Sequence, residues 1–277
     1  MLVSFKTVLD MAEKGNFAIP AFNVYNMETV MGVIRAAERQ NAPVILQNYS
    51  RLVTNEEGYF LAPIIIAAAK QASVPVCYHL DHGASEVEVM RTLRYGATGI
   101  MIDKSALPME ENIAGTKNVV ELCKAVGVEV EGEIGHVGSA ANGDEQTTEY
   151  TTVEEAKAFV EGTGVTALAI AVGTAHGRYK KAPKLAIERI AEIHKNVDVA
   201  LVLHGGSGVP DEEIKASINA GIRKINFGTD LCYAFLDQVF ATGRDKVGID
   251  LFMKEAVEAV ASFAEEKIKL LGADNKA

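Results

Sequence analysis

The 277-residue sequence predicts an α/β fold, because eight short apolar runs alternate along it with segments of helical spacing. Eight strand–helix units in a chain of this length are typical of a (β/α)8 TIM barrel. A doubly wound open sheet is the alternative, but it usually places a glycine-rich turn after its first strand, where this chain reads FNVYNME. We therefore expect a single barrel domain over residues 1–277, with an extra C-terminal helix.

The predicted strands are short, apolar and rich in β-branched residues. In chain order they are Phe17–Val24, Pro43–Asn48, Val74–Leu80, Thr98–Asp103, Val128–Ile134, Ala167–Gly173, Val199–His204 and Ile222–Phe227. Between them, apolar residues recur at helical spacing in Met27–Gln40, Glu56–Gln71, Ser85–Tyr95, Glu110–Ala125, Val153–Glu161, Lys184–His194 and Asp211–Ala220. Asp250–Leu271, beyond the eighth unit, is the predicted extra helix.

Several ends of the predicted helices carry their own signals. Thr152 precedes Glu154 as a helix cap precedes an acidic first turn, and Pro210 opens the acidic turn that begins at Asp211. Glycines follow directly after helical segments at Gly96, Gly127, Gly164 and Gly221, where a left-handed residue ends a helix at little cost.

The composition excludes several classes of function. A net charge of −10 and a pI near 5.2 argue against nucleic acid or an anionic membrane as a partner. The three cysteines are too few and too scattered for a disulfide framework. No signal-peptide pattern and no apolar stretch long enough to span a membrane is present, so we expect a cytoplasmic protein.

Three histidines each follow an apolar run and each precede a glycine: His82, His176 and His204. The carboxyl ends of barrel strands meet at one face, so these imidazoles can converge on one point. Three imidazoles with an open fourth position are a recurring catalytic zinc site. A lone histidine would more often be structural, but three at equivalent positions predict a metal site.

The other predicted strand ends are also polar, with Asn23, Asn48, Asp81, Asp103, Glu133 and Asn226. Together with the histidines they predict a metal pocket with acid–base groups. His79 shares a strand face with Asp81, whereas His82 points the other way unless the strand has ended, so we assign His79 to the barrel interior. A role for His136, which follows the fifth strand, stays open.

Barrels often bind phosphate in the loops after strands 7 and 8. Here those loops read HGGSG, from His204 to Gly208, and NFGTDL, from Asn226 to Leu231. Their glycines let backbone amides approach a phosphate, and Ser207 and Thr229 add hydroxyl donors. The stretch HGRYKK that begins at His176 supplies nearby cations.

The chain resembles class II, zinc-dependent fructose- and tagatose-bisphosphate aldolases in PAFNVYNMET, HLDHG, MIDKS, EGEIGHVG, AVGTAHGRYK, LVLHGGSGVPD and KINFGTDL. The resemblance implies zinc on the three histidines and Asp81 as the acid–base residue of reversible carbon–carbon cleavage. Asp103 and Glu133 match acidic positions of an alternative or second metal site. The implied substrate is a phosphorylated ketose of carbohydrate metabolism, cleaved to dihydroxyacetone phosphate and an aldehyde. We assign substrate binding to Asn23, Gly177, Lys180, Gly205, Gly206, Ser207, Asn226, Gly228 and Thr229.

The resemblance further implies a homodimer or homotetramer, and a monovalent cation, Na⁺ or K⁺, that helps to order the phosphate. The chain departs from the family pattern on the aldehyde side of the site. Lys104 stands where members commonly have glycine, Gly228 where many have aspartate, and residues 139–142 lack the usual acidic pair. We hypothesise that Lys104 tunes the choice of aldehyde, with a solvent-facing lysine as the alternative.

Two other functions compete with a zinc-dependent aldolase. A Schiff-base aldolase would use Lys104, but the sixth strand run, ALAIAVG, has no lysine and the three histidines would have no role. A non-catalytic phosphosugar-binding barrel is the second, and an acidic residue beside a metal ligand argues against it. The identity of the ketose and of the aldehyde stays open.

Overall fold

The computed structural model describes residues 1–135, 150–177, 179 and 182–277. Within these ranges, parallel strands pair in chain order and the last closes on the first, which confirms the predicted (β/α)8 barrel. The strands are β1 (Ile19–Asn23), β2 (Val44–Tyr49), β3 (Val76–Gly83), β4 (Gly99–Ile102), β5 (Glu129–Ile134), β6 (Ala167–Ile170), β7 (Ala200–Leu203) and β8 (Ile222–Phe227).

Helices alternate with these strands, and every helix predicted from the sequence is present. They are α1 (Phe5–Gly15), α2 (Met27–Arg39), α3 (Ser50–Thr54), α4 (Glu57–Gln71), α5 (Glu86–Tyr95), α6 (Met109–Lys124), α7 (Val153–Thr163), α8 (Ile187–His194), α9 (Asp211–Ala220), α10 (Thr229–Ala241) and α11 (Ile249–Leu270). Helices α1, α3 and α10 were not predicted. None of the helices in the described ranges is long and apolar enough to cross a membrane.

Helix α1 closes the amino-terminal end of the barrel. Its apolar face is buried, and the ring of Phe5 lies 4.6 Å from the ring of His79 inside the barrel. The amide of Phe5 donates to the carbonyl of Thr98 at 3.0 Å, which fixes the start of the helix against β4. Helix α1 therefore covers the end of the barrel opposite to the carboxyl ends of the strands.

Helix α11 is the predicted C-terminal helix, and it packs against α2 and α10 on the outside of the barrel. A side chain on Gly32 of α2 would place its Cβ 2.6 Å from Cγ1 of Val260 in α11, closer than carbon atoms can approach. Glycine therefore sets the short distance between these two helices. The apolar face of α11 that α2 covers is fully buried.

Candidate active site

The three predicted histidines converge at the carboxyl-terminal face of the barrel. The ring centre of His82 lies 4.8 Å from that of His176 and 4.7 Å from that of His204, and the rings of His176 and His204 are 5.9 Å apart. Each offers a nitrogen within 4.8 Å of a nitrogen on the other two. These distances allow one ion to contact all three imidazoles.

A local distortion of β3 turns His82 into this cluster. The strand does not end before His82, as the sequence analysis required, but continues to Gly83 with a register shift against β4 after Leu80. His82 itself has a left-handed backbone, with φ of +50°. This conformation is uncommon outside glycine and is typical of functional sites. It lets Asp81 and His82, neighbours on one strand, face the same pocket.

Carboxylates orient two of the three imidazoles. Asp103 Oδ2 accepts a hydrogen bond from His82 Nδ1 at 2.8 Å, and Glu131 Oε1 accepts one from His204 Nε2 at 2.9 Å. Such contacts fix the orientation and tautomer of a metal-binding histidine. The other ring nitrogen of His204, Nδ1, is buried and lies 2.9 Å from Glu133 Oε2. When a metal ion replaces the proton on this nitrogen, its lone pair can bind that ion in the cluster.

The electrostatics around His204 favour a cation. Burial alone would lower the pKa of His204, but Glu131 and Glu133 outweigh it and raise the pKa to about 10. A field that holds a proton this firmly also attracts a metal ion, which competes with the proton for the same nitrogen. The donor set of imidazole and carboxylate fits a divalent transition metal such as zinc.

A second set of candidate metal ligands also includes His82. His82, Asp103 and Glu133 also bring one ligand atom each to within 4.8 Å of one another. The hydroxyl of Ser105 joins the two carboxylates, since it contacts Asp103 Oδ1 at 2.7 Å and Glu133 Oε1 at 3.2 Å. The acidic residues predicted for an alternative metal position are thus adjacent to the histidine cluster.

Asp81 lies beside the histidines and is 3 % exposed. Three side-chain amides donate to its carboxylate: Asn23 at 2.7 Å, Gln47 at 3.2 Å and Asn226 at 3.0 Å. Burial would raise the pKa of Asp81, but the imidazoles of His82 and His204 hold it below the ordinary value. The group is therefore an ionised, rigidly held carboxylate, able to accept a proton from a ligand above it.

A cavity of about 610 Å³ opens over these groups. Its lining includes Asp81, His82, Asp103 and His176. The other lining residues lie at or just beyond the carboxyl ends of the strands, and they include Tyr25, Tyr49, Ser50, Arg51, Gly177, Gly205, Ser207, Asn226, Gly228 and Thr229. Most residues assigned to substrate binding thus line the cavity. Asn23 lies beneath it on Asp81, and Gly206 is buried against β8. Lys180 and His136 lie outside the described residues.

The loops after β6 and β7 are joined by Tyr179. Its hydroxyl accepts from the amide of Ala175 at 2.7 Å and donates to the carbonyl of Gly205 at 2.9 Å. Gly205 has φ of +66°, and a Cβ there would meet the Ala175 carbonyl oxygen at 2.4 Å. Only glycine fits this turn, which brings backbone amides to the cavity wall.

The predicted phosphate loop after β8 is shorter than the sequence suggested, because helix α10 begins at Thr229. The hydroxyl of Ser207 accepts from the amide of Asp230, and the Asp230 carboxylate accepts from the amide of Gly208, which joins the β7 loop to this helix. Thr229, the first residue of the 13-residue helix, lines the cavity. The amino-terminal end of a helix attracts anions, so this wall suits a phosphate.

Lys104 does not line the cavity. Its ammonium group donates to the carbonyl of Ala84 at 2.9 Å, and its stem lies near Gly115 of α6. The pocket cation among the described residues is Arg51, which the sequence analysis missed. Glu131 and Lys224 were likewise not predicted, although each stands two residues before an assigned site residue, Glu133 and Asn226 respectively, and so shares its strand face.

A parallel eight-stranded barrel whose carboxyl face carries three histidines able to hold a metal ion, beside a buried carboxylate and glycine-rich loops, is typical of metal-dependent barrel enzymes. The chain belongs to the class II fructose-bisphosphate aldolase family, whose family model matches residues 3–276. It is accordingly a lyase of the aldolase type.

Known relatives cover the whole chain. It is 37 % identical to the sulfofructosephosphate aldolase of Alkalicoccus urumqiensis over 281 residues, which cover 99 % of this chain and 98 % of the relative. It is 40 % identical to the YdjI protein of Escherichia coli K12 over 268 residues, 96 % of each chain. The crystal structure of the YdjI aldolase superposes with a TM-score of 0.91 over 100 % of both chains, at 37 % identity.

Proposed function

We propose that the protein is a zinc-dependent aldolase that reversibly cleaves a phosphorylated ketose to dihydroxyacetone phosphate and an aldehyde. The observation that carries the proposal is the convergence of His82, His176 and His204 beside the amide-held carboxylate of Asp81. The family supplies the reaction class, and the anion-binding wall of the cavity supports a phosphorylated substrate.

The three histidines would hold zinc, with Asp103 and Glu133 beside them as an alternative set of ligands that shares His82. Bound zinc would supply a Lewis acid that withdraws electron density from the substrate's ketone. Because Glu131 orients His204 and Asp103 orients His82, the imidazoles need little rearrangement to bind the metal.

Asp81 performs the proton transfer of the proposed reaction. During cleavage its carboxylate accepts the proton of the C4 hydroxyl as the C3–C4 bond breaks and C4 becomes the aldehyde carbon. The electron pair of that bond stays on the three-carbon fragment, which takes up a proton from solvent at C3 and leaves as dihydroxyacetone phosphate, while Asp81 releases the proton it accepted to solvent. In condensation Asp81 returns its proton to the oxygen of the former aldehyde.

The walls of the cavity position the substrate. Backbone amides of the Gly205–Ser207 turn, the Ser207 hydroxyl and the amino-terminal end of α10 would bind the phosphate of the donor half, and Gly177 lines the same cavity. Lys180 is assigned to substrate binding from the sequence alone. Na⁺ or K⁺ would help to order this phosphate, as the family resemblance implies.

For the aldehyde half we propose an anionic group, recognised by Arg51. Arg51 is the basic side chain that the described residues contribute to the cavity lining. A relative is named for a sulfofructose phosphate, and a guanidinium binds sulfonate and phosphate through paired hydrogen bonds. Lys104 is a weaker candidate, because its ammonium group is bound to the Ala84 carbonyl. The same contact counts against a Schiff-base aldolase at Lys104.

The remaining features of the proposal rest on the sequence and the family. We propose that residues 1–277 form one catalytic domain, which acts as a homodimer or homotetramer in the cytoplasm, in carbohydrate metabolism and without nucleic-acid or membrane partners. The experiment that tests the function is a screen of purified, zinc-loaded protein with dihydroxyacetone phosphate against phosphorylated, sulfonated and neutral aldehydes. Condensation with none of them would overturn the proposal, and so would a binding-only protein that shows phosphosugar affinity without turnover.

A further inference from the structure

A lysine is buried in the centre of the barrel, below the site. Lys224 of β8 is 0 % exposed, as are Glu131 of β5 and His79 of β3 beside it. Its ammonium group lies 2.8 Å from Glu131 Oε2 and donates to Asn226 Oδ1 at 2.7 Å. Burying an ammonium group is costly even when it is paired, and apolar side chains would fill a barrel core at lower cost. The position therefore calls for a reason beyond packing.

One contact of Lys224 connects it, through Glu131, to the histidine cluster. The ammonium group fixes Glu131 by an ion pair at one carboxylate oxygen, and the other oxygen accepts from His204 Nε2 at 2.9 Å. The Glu131 carboxylate could also pair with His79, since His79 Nε2 lies 3.5 Å from Glu131 Oε2. Lys224 thus holds Glu131 on His204, which keeps His204 Nδ1 directed at the cluster.

The other contact leads to the acid–base carboxylate. A carboxamide can be turned in two ways, with its oxygen and nitrogen exchanged. Because the Asn226 oxygen accepts from Lys224, the nitrogen must face the other way, where it donates to Asp81 Oδ1 at 3.0 Å. The Asp81 carboxylate only accepts and so favours the same orientation, but without the ammonium group the Asn226 amide would be held from one side alone.

We propose that Lys224 is a positioning residue that sets both the metal-binding orientation of His204, through Glu131, and the proton-accepting orientation of Asp81, through Asn226. It touches neither substrate nor metal. The inference rests on the proposed function, since it assigns Lys224 to the same reaction.

The test compares Lys224→Met with Arg223→Met in the full-length protein. Arg223 is the neighbouring buried cation, but it binds Glu13 and backbone carbonyls at the other end of the barrel. We expect Lys224→Met to weaken zinc binding ~10- to 100-fold, the usual range for a lost partner of a metal ligand. At saturating zinc, kcat should fall ~10- to 100-fold from misplacement of the reacting groups, with KM for the ketose phosphate little changed. Arg223→Met should lower thermal stability alone.

A double variant, Lys224→Met with Glu131→Gln, separates the two contacts and removes both buried charges, so it also serves if the single variant does not fold. Glutamine still accepts from His204 Nε2, so zinc affinity should return to within a few-fold of wild type, whereas kcat should stay low because Asn226 is still released. The inference would be overturned by a folded double variant with wild-type kcat. It would also be overturned if Lys224→Met had the same zinc affinity and the same kcat as Arg223→Met.

Zinc affinity, measured by competition with a chromophoric chelator, needs no substrate. A wild-type protein that cleaves no ketose phosphate would therefore defeat the proposed function alone, while the zinc affinity of Lys224→Met would still decide the contact through Glu131. A wild-type enzyme that cleaves the substrate, beside a Lys224→Met enzyme of equal zinc affinity and kcat, would defeat the inference alone.

Discussion

Replacing Asp81 by asparagine separates its proposed chemistry from its structural contacts. Asp81 accepts through both oxygens, Oδ2 from Asn23 and Oδ1 from Gln47 and Asn226. An asparagine keeps one of these oxygens, and the two donors that face it can remain. Its new NH₂ group faces the Asn23 amide, which can turn over to accept. The variant therefore loses on the order of one hydrogen bond, or ~1 kcal/mol of stability.

In a protein of this size, that loss corresponds to a decrease in melting temperature of only about 2–4 °C. Turnover should behave differently, because an amide cannot accept the C4 hydroxyl proton. We expect kcat to fall at least ~100-fold, the usual lower range for a general acid–base group. Bound zinc should be unchanged, since Asp81 is not among the residues of the proposed metal cluster.

The assay follows release of dihydroxyacetone phosphate by coupled oxidation of NADH, with zinc content and melting temperature measured on the same preparation. Glu213→Gln is the matched control. Glu213 accepts from the backbone amide of Leu185 at 2.8 Å and does not line the cavity, so its replacement should cost similar stability without loss of turnover. Near-wild-type turnover in a folded, zinc-loaded Asp81→Asn protein would refute the acid–base assignment.

Three further predictions test other parts of the account. Arg51→Met should lower kcat/KM for an anionic aldehyde ~10-fold or more relative to a neutral aldehyde of equal length, because a charged hydrogen bond is lost. Lys104→Met, the control, should change kcat/KM for the two aldehydes by the same factor. If Arg51→Met lowers kcat/KM for both aldehydes equally, Arg51 does not recognise the anionic group. Tyr179→Phe removes the hydroxyl that joins the β6 and β7 loops, and it should raise KM for dihydroxyacetone phosphate several-fold at unchanged zinc content. An unaltered KM would show that this hydroxyl does not shape the phosphate site. Gly32→Ala forces α2 away from α11 and should cost ~1–3 kcal/mol in chemical denaturation, the usual range for overpacking; wild-type stability would show that the two helices part freely.

The architecture could be predicted from sequence because its signals are local. Apolar β-branched runs fixed the positions of all strands, and the break between the two periodicities located the helices. Helix α10 was missed because it begins within the NFGTDL motif, whose glycine and threonine were interpreted as loop residues. The end of β3 was misplaced because the bulge after Leu80 depends on pairing with β4, which no local pattern reveals.

The site could be predicted where it lies at strand ends. The three histidines and Asp81 meet as the barrel geometry requires. Lys224 and Glu131 were missed because attention to strand ends leaves out the layer below, where a charged residue is rarely expected. Lys104 was given weight because it follows a strand, but only the folded chain shows that its ammonium group is bound to the Ala84 carbonyl and that Arg51 lines the cavity instead.

The central claim is that three histidines hold a zinc ion on which cleavage depends. The most direct test is a chelator titration of the purified protein in which zinc content and cleavage of a ketose phosphate are measured on each sample. The account predicts about one zinc per chain, activity that falls in proportion to zinc removed, and recovery when zinc is restored. A protein stripped of metal that still cleaves the ketose phosphate at the full rate would contradict it.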